Sequence, residues 1–352
     1  MASITELRVS RADLHVAEIA SHDATLGPGQ ALFAVERFAL TANNITYAAH
    51  GDDMGYWRFF PAPQGWGVVP VWGFAHVVDA GDTALVAGER FYGYWPMASH
   101  AVLEPAKVTP RGFGDAAAHR QGLATIYNAY TRVVGNGFGD ERAYALFRPL
   151  YTTSFLIDLW VGELAGGADA AILSSASSKT ALGLAQALKA RGGVRVIGLT
   201  SARNRAFVEA TGYYDEVAEY DEVFGLTATR PLYVDFAGDD AVRAAVHNRF
   251  GDALAASLVI GDTHWNSAPA RVALPGPQPE FFFAPTEAVK RMEVWGPAGF
   301  AERLDAAWHG FLGSTGGWLR VVEKSGSAAL ENGYQAMLAG KVAPDEGLIL
   351  SV

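Results

Sequence analysis

Apolar positions along this chain change their period. Over residues 1–110 they alternate in short runs, which predicts strands. Ala31–Leu40 alternates around Phe33, Val35 and Phe38, and Val68–Trp72 and Gly73–Val78 are further β-branched runs. Ala84–Arg90 leads into Phe91-Tyr92-Gly93-Tyr94-Trp95, and His100–Val108 reads as one more strand. Gly-Pro-Gly, Gly-Asp and proline turns separate them, the pattern of a small β-barrel. Residues 115–165 read as helical, interrupted near Gly135–Gly139 and at Arg148-Pro149.

From Ala170 the period changes to strand, helix, strand. Ala170–Ser175 is a short buried-type run, Ala181–Arg191 a helix closed by Gly192-Gly193, and Val194–Leu199 a second strand. This is a βαβ unit of a parallel sheet. Further strands are expected at Val217–Tyr220, Pro231–Phe236 and Leu254–Ile260. A proline-rich loop (Pro269–Pro285) precedes helical segments at Ala288–Glu293 and Gly299–Leu312. A strand at Trp318–Val322, a helix at Ser327–Ala339 and a strand at Gly347–Val352 close the chain.

The turn ahead of the first βαβ helix is the most chemically suggestive stretch. Small residues feeding a helix N-terminus offer backbone N–H groups and the positive end of the helix dipole to a phosphate. Ser175, Ser177, Ser178, Lys179 and Thr180 are therefore candidate phosphate ligands. Ser175, Ser178 and Ala181 stand where a dinucleotide fingerprint would carry glycines, so an ordinary βαβ unit without ligand remains the alternative. A P-loop is rejected, because Leu173 and Ser178 occupy its two glycine positions.

Composition narrows the class. A chain of 352 residues with half of them hydrophobic can bury a large core or two. A net charge of −10 argues against nucleic acid or an anionic membrane as the main partner. The chain has no cysteine, which removes disulfides, thiolate nucleophiles and cysteine-ligated zinc, and is compatible with a cytoplasmic protein. The charged residues Glu6, Arg8, Arg11, Asp13 and Glu18 exclude a signal peptide, and no run is long enough to span a membrane. The nine histidines lack metal-site spacing, so no metal is expected; a spatial cluster of His50, His76 and His100 is the one alternative.

Taken in order, these stretches resemble the medium-chain dehydrogenase/reductase superfamily, in particular its zinc-free, quinone-oxidoreductase-like branch in a divergent bacterial form. Gly29–Val35 resembles the family's opening strand and Phe38–Ile45 its nicotinamide-side asparagine segment, with Thr41 in place of the usual asparagine. Gly73–Gly81 and Gly88–Gly93 resemble its barrel strands, and Thr152–Phe155 its Thr-Ala-Tyr segment. Gly212–Val217 and Ser257–Gly261 resemble two strands of its cofactor domain. The resemblance implies an α/β protein with a GroES-like β-barrel domain and a Rossmann-type doubly wound parallel-sheet domain. It places the barrel domain, discontinuous, at 1–145 and 305–352 and the nucleotide-binding domain at 146–304. Asn44, Thr153, Tyr220, Gly238 and Gly261 fall at cofactor-side positions.

The cofactor type follows from the end of the second strand. An NAD-preferring enzyme needs an acid there for the ribose 2′-OH, whereas a 2′-phosphate needs cations. Thr200-Ser201-Ala202-Arg203-Asn204-Arg205 contains no acid before Glu209, so Ser201, Arg203 and Arg205 suit NADP(H). A solvated helix start is the alternative.

Aromatics describe the substrate side. Twelve lie between Tyr47 and Trp95, about double the chain's average density, and some are expected to line a cleft between the domains. Tyr56, Trp57, Tyr94 and Trp95 are the substrate-binding candidates; Tyr47, Tyr127 and Tyr130 are the candidate proton donors. The expected function is reduction of an activated double bond or carbonyl in a hydrophobic small molecule. The alternative keeps the fold but not the redox step, giving a cofactor-assisted lyase or a binding protein. The apolar run Glu280–Ala284 suggests a homodimer formed at a sheet edge.

Overall fold

The computed structural model describes residues 2–164, 166–260 and 273–352. The chain opens with strands β1 (Ser3–Ser10), β2 (Ala17–Asp23) and β3 (Ala31–Leu40) and helix α1 (Ala42–Ala49). Strands β4 (Trp66–Val68), β5 (Pro70–Asp79), β6 (Arg90–Pro96), β7 (His100–Leu103), β8 (Pro105–Thr109), β9 (Gly112–Asp115) and β10 (Ala129–Arg132) follow. Helix α2 (Glu141–Gly162) leads into β11 (Ala170–Leu173), α3 (Lys179–Arg191), β12 (Arg195–Thr200), α4 (Ala202–Ala210) and β13 (Glu216–Glu219). Then come β14 (Pro231–Asp235), α5 (Asp240–Phe250), β15 (Ala256–Val259), β16 (Glu280–Phe281) and α6 (Ala284–Thr315). The last elements are β17 (Arg320–Ser325), α7 (Ser327–Leu338) and β18 (Glu346–Ser351). Two compact units result: Met1–Leu146 with Arg320–Val352, and Phe147–Leu319.

In the first unit the strand order is β17-β18-β3-β5-β6-β10-β9-β8, with β7 also paired to β3, beside a small sheet β2-β1-β4. Strand β3 pairs with β5, β7 and β18 and carries irregularities at Leu32/Phe33 and Val35/Arg37, where the sheet curls. Alternation sends Phe33 and Val35, and past the Val35/Arg37 irregularity Phe38, into a core shared with Phe91, Trp95, Phe113 and Tyr130. The Phe33 ring lies 5.3 Å from Trp95 and 5.6 Å from Phe113.

In the second unit the parallel order is β13-β12-β11-β14-β15-β16. Counted along this unit that is 3-2-1-4-5-6, the doubly wound dinucleotide-binding order. Its central strands β11 and β14 are buried at every residue, as a sheet covered on both faces requires.

Several elements differ from the sequence pattern. The runs Val68–Trp72 and Gly73–Val78 become β4 and one long β5, while His100–Val108 breaks into β7 and β8 ahead of Pro105. Helix is expected from 115, but α2 starts only at Glu141, and β10 lies in the intervening stretch. Pro149 does not end α2, because Leu146, Phe147, Leu150 and Tyr151 stay buried across it. The segments Ala288–Glu293 and Gly299–Leu312 are two arms of α6, broken at Gly296 (φ 69°, ψ 160°) before Pro297. Among the described residues no helix is long and apolar enough to cross a membrane.

Candidate functional site

The turn between β11 and α3 keeps its tight geometry without glycine. Ser175 takes a left-handed conformation (φ 47°), and the Ser178 N–H donates to its carbonyl at 2.7 Å. Ser178 caps α3, its Oγ accepting from the Ala181 N–H at 3.3 Å. The close approach between turn and sheet comes from the neighbouring strand instead. A Cβ on Gly198 of β12 would stand 2.9 Å from the Ala176 Cβ and 2.8 Å from the Tyr214 ring. Sequence inspection of the turn alone misses this, since the glycine that matters lies about twenty residues later. Lys179 and Thr180, half-buried, begin α3, and Ser154 of α2 donates to the Thr180 carbonyl at 2.7 Å. The adjacent Thr153 is half-buried on α2.

At the end of β12, Thr200 is buried and Ser201 occupies the N-cap position of α4, its side chain making no capping hydrogen bond. The two candidate arginines have different surroundings. Arg205 donates from Nε to Glu209 at 3.0 Å and from Nη1 to Glu222 at 2.8 Å and Glu219 at 3.4 Å. Its Nη2 reaches the Val217 carbonyl at 3.3 Å, so Arg205 fastens α4 to β13 and the turn after it. Arg203 is exposed and makes no ion pair or hydrogen bond through its guanidinium among the described residues. Between them Asn204 donates to Ser177 Oγ at 3.0 Å, a contact absent from the sequence reading. Tyr220, after β13, is in hydrogen-bond contact with Ser175, and burial pushes its phenol pKa up.

At the switch point between β11 and β14 lies a buried polar knot. Ser174 donates to Asp235 at 2.8 Å, and Asp235 also accepts from the Ala237 and Gly238 N–H groups, each at 3.1 Å. Arg243 Nε donates to the other Asp235 oxygen at 2.9 Å. Gly238 thus helps fix the loop through its backbone, and Gly261 lies outside the described residues.

In the first unit, Asn44 is framework. Its Oδ1 accepts from the Thr41 N–H at 2.7 Å and its Nδ2 donates to the Pro70 carbonyl at 2.9 Å, pinning the start of α1 to β5. Helix α1 then delivers Tyr47 into a cluster of phenols. The Tyr47 ring lies 4.6 Å from Tyr56, 5.5 Å from Tyr94 and 6.1 Å from Tyr127. Trp72 Nε1 donates to the Tyr47 hydroxyl at 3.3 Å, and Tyr56 and Tyr127 share a hydrogen bond at 3.4 Å. Tyr47, Tyr56 and Tyr94 are buried, whereas Trp72 and Tyr127 are half-buried and form the cluster's rim. Burial pushes the pKa of all four phenols up, so they remain neutral donors.

The remaining aromatic candidates are placed apart from that rim. Tyr130 donates to the Tyr94 carbonyl at 2.6 Å and accepts from Arg120 at 3.0 Å, with its ring stacked on Phe113. Trp95 is in the core, donating to the Gly73 carbonyl at 3.1 Å. Trp57 is buried against Gly51 and Gly67. Of the histidines, His76 bonds Glu36 and His100 bonds Ser99, each at 3.0 Å. Among the described residues no three His, Asp or Glu side chains group as a metal site would require.

A family model described as "Protein of unknown function (DUF2855)" matches residues 38–343. No curated protein matches the chain by sequence. Solved structures do. A mutant enoyl thioester reductase from Candida tropicalis aligns over 100% of both chains at 14% identity, TM-score 0.62. CurA from Vibrio vulnificus in complex with NADPH aligns over 100% of this chain and 99% of its own, at 14% identity, TM-score 0.64. A Mesorhizobium loti protein provisionally named an NADPH:quinone reductase aligns over the same shares at 13% identity, TM-score 0.67. At these identities the agreement is one of fold: the chain has the medium-chain dehydrogenase/reductase fold.

Proposed function

The chain belongs to the DUF2855 family of proteins of unknown function, and we propose that it is an NADPH-dependent, zinc-independent oxidoreductase. Its substrate is a hydrophobic, planar small molecule carrying an activated double bond or carbonyl. One observation carries the reading: Arg203, exposed and unpaired among the described residues, follows the second strand of a 3-2-1-4-5-6 sheet, where a nucleotide's adenosine ribose sits.

The residues at that point fit a 2′-phosphate. Ser201 and Arg203 supply donors, while Arg205 is paired with Glu209, Glu219 and Glu222 and offsets part of their charge. The Ser175–Thr180 turn and the head of α3 are the matching place for the diphosphate. When bound, NADPH supplies hydride. The chain's own part is to hold the nucleotide in the second unit and to bind and polarise the substrate oxygen with the phenols of the first, Tyr47 and Tyr127 foremost. The two named neighbours crystallised or titled with NADPH support the cofactor choice. Zinc independence is supported by the absence of cysteine. For assembly we propose a homodimer through β16, the edge strand, whose Phe281 and Phe283 rings stack at 6.3 Å beside buried Phe282.

Titration with NADPH and NADH, followed by nicotinamide fluorescence, tests the reading. NADPH should bind and NADH bind more weakly; binding of neither would end it. The glycine-poor turn favours a second reading, nucleotide binding without hydride transfer. Under it, NADPH would bind but not be oxidised by any enone or quinone offered.

A further inference from the structure

Among the described residues, two that are not glycine have a left-handed backbone, Lys107 (φ 51°) and Ser175 (φ 47°). Lys107 is exposed, at the irregularity of β8. Ser175 is half-buried in the turn between β11 and α3. A side chain disfavours this conformation, and a residue keeps it only where its surroundings hold it there.

Most ties of the turn act beyond the Ser175 N–Cα bond. The Ala176 N–H donates to the Leu199 carbonyl at 3.0 Å, and the Ala176 carbonyl accepts from the Tyr214 hydroxyl at 2.8 Å. Ser177 Oγ accepts from Asn204 at 3.0 Å, and the Ser178 N–H donates to the Ser175 carbonyl at 2.7 Å. Tyr220 is placed differently. Its hydroxyl is in hydrogen-bond contact with both the main chain and the side chain of Ser175. Both contacts favour the charged phenol, so in each of them Ser175 is the donor. The N–H and the side chain of a residue lie on opposite sides of its N–Cα bond, the bond about which φ turns. A single oxygen that accepts from both therefore restrains that rotation directly.

We propose that Tyr220 is a positioning residue for nucleotide binding: its hydroxyl holds Ser175 in the backbone shape that a glycine adopts freely, and so keeps the β11–α3 turn in the form that receives a diphosphate. The proposal rests on the nucleotide reading of this turn. A tyrosine after β13, two strands away in the sheet, thereby takes over the conformational role of a glycine in the dinucleotide fingerprint. Tyr220 acts through Ser175 and not on the ligand. NADPH and NADH share the diphosphate, so both depend on it equally.

Tyr220→Phe in the full-length protein keeps the ring and removes the oxygen. It should weaken NADPH and NADH by the same factor, about tenfold, in fluorescence titrations of protein shown to be folded by its urea transition. Ser175→Gly added to that variant should restore both affinities, because glycine enters the left-handed region without a steric penalty. Ser175→Gly in the parent should change neither. Rescue is the readout that a merely structural role does not give, since a lost packing contact lowers the urea midpoint whatever residue stands at 175. Three results would overturn the proposal: a Tyr220→Phe protein that binds like the parent, weakening of NADPH alone, which places Tyr220 on the 2′-phosphate, or a double variant as weak as Tyr220→Phe. A parent that binds neither nucleotide fails the nucleotide reading and the proposal with it, whereas binding by the parent without rescue by Ser175→Gly fails the proposal alone.

Discussion

The Asn204 side-chain amide donates to Ser177 Oγ at 3.0 Å, so the turn ahead of α3 is tied directly to the first turn of α4. These are the two loops that a dinucleotide must bridge, one at the phosphates and one at the adenosine ribose. The bond fixes their spacing before any ligand arrives, and preorganisation of this kind reduces the ordering cost of binding. Asn204→Ala should therefore cost about 0.5–1.5 kcal/mol of stability and weaken NADPH and NADH by the same factor. Parallel nucleotide titrations and urea unfolding check it; loss of NADPH affinity alone would show Asn204 contacting the 2′-phosphate instead.

Arg203 and Arg205 should separate in experiment. Arg203→Ala removes a guanidinium with no other partner among the described residues, so NADPH should weaken by roughly tenfold or more while NADH and the unfolding midpoint stay unchanged. Arg205→Ala releases Glu209, Glu219 and Glu222, and should lower the midpoint visibly. It should change the NADPH-to-NADH ratio less than Arg203→Ala does. A larger ratio change from Arg205 would reverse the assignment.

The difference between these arginines marks the limit of what the sequence carries. Thr200 to Arg205 and the βαβ period are local patterns, and strand β12 and helix α4 follow from them. Glu209 is a local i,i+4 partner of Arg205, but the other two acids come from β13 and the turn after it, and no local pattern pairs Glu219 and Glu222 with an arginine so far upstream. Gly198 is a similar case: its role depends on Ala176 and Tyr214, which only the sheet brings together. In the barrel, alternation makes Phe33 and Phe38 core residues, but it does not separate Trp95, in the core, from Trp72, on the rim. That distinction depends on the pairing register of β5 with β6: Trp95 stands opposite Val71 and Trp72 opposite Tyr94, so the two indoles lie on opposite faces. The region 115–140 reads as helical, yet β10 within it pairs with β9 and β6, a non-local pairing that local propensity does not reveal.

His247 should make stability depend on pH. It is fully buried on α5, with Nδ1 2.8 Å from the Pro275 carbonyl and Nε2 2.9 Å from Ser257 Oγ. A carbonyl only accepts, so the neutral ring donates from Nδ1 and accepts the Ser257 hydroxyl at Nε2. Burial lowers its pKa, with Arg243 adding to the effect and Asp235 opposing it. Below the ordinary histidine value of about 6.5, the unfolded chain then binds more protons than the folded one. Stability should be level above that pH and fall as the pH drops from it towards the depressed folded value. Urea midpoints measured across this range should show the slope, and His247→Gln should flatten it. Parallel curves for parent and variant would place the titration elsewhere.

The last prediction concerns Arg120 and Asp115, whose side chains are each only 1% exposed, with Nε 2.9 Å from Oδ2. The Arg120 guanidinium also stands 4.6 Å from the Phe60 ring and 5.5 Å from Phe59, and it donates to Tyr130. Asp115 Oδ1 is occupied separately, accepting from the Ala117 N–H at 3.0 Å and the Glu104 N–H at 3.2 Å. Two charges withdrawn from water in this way contribute little net stability as a pair, but removal of one strands the other. Arg120→Met should therefore cost about 3–5 kcal/mol, because Asp115 remains buried and charged. Asp115→Asn keeps the Oδ1 acceptor for both backbone amides but leaves Arg120 without a counter-ion. The double variant Arg120→Met/Asp115→Asn removes both charges while the methionine fills the space between the rings. It should be more stable than Arg120→Met alone, a sign change that simple loss of contacts cannot produce. A urea double-mutant cycle measures this coupling directly. Costs that add across the two sites would mean that the carboxylate and guanidinium do not compensate each other, and that the barrel core holds Arg120 by its aromatic contacts alone.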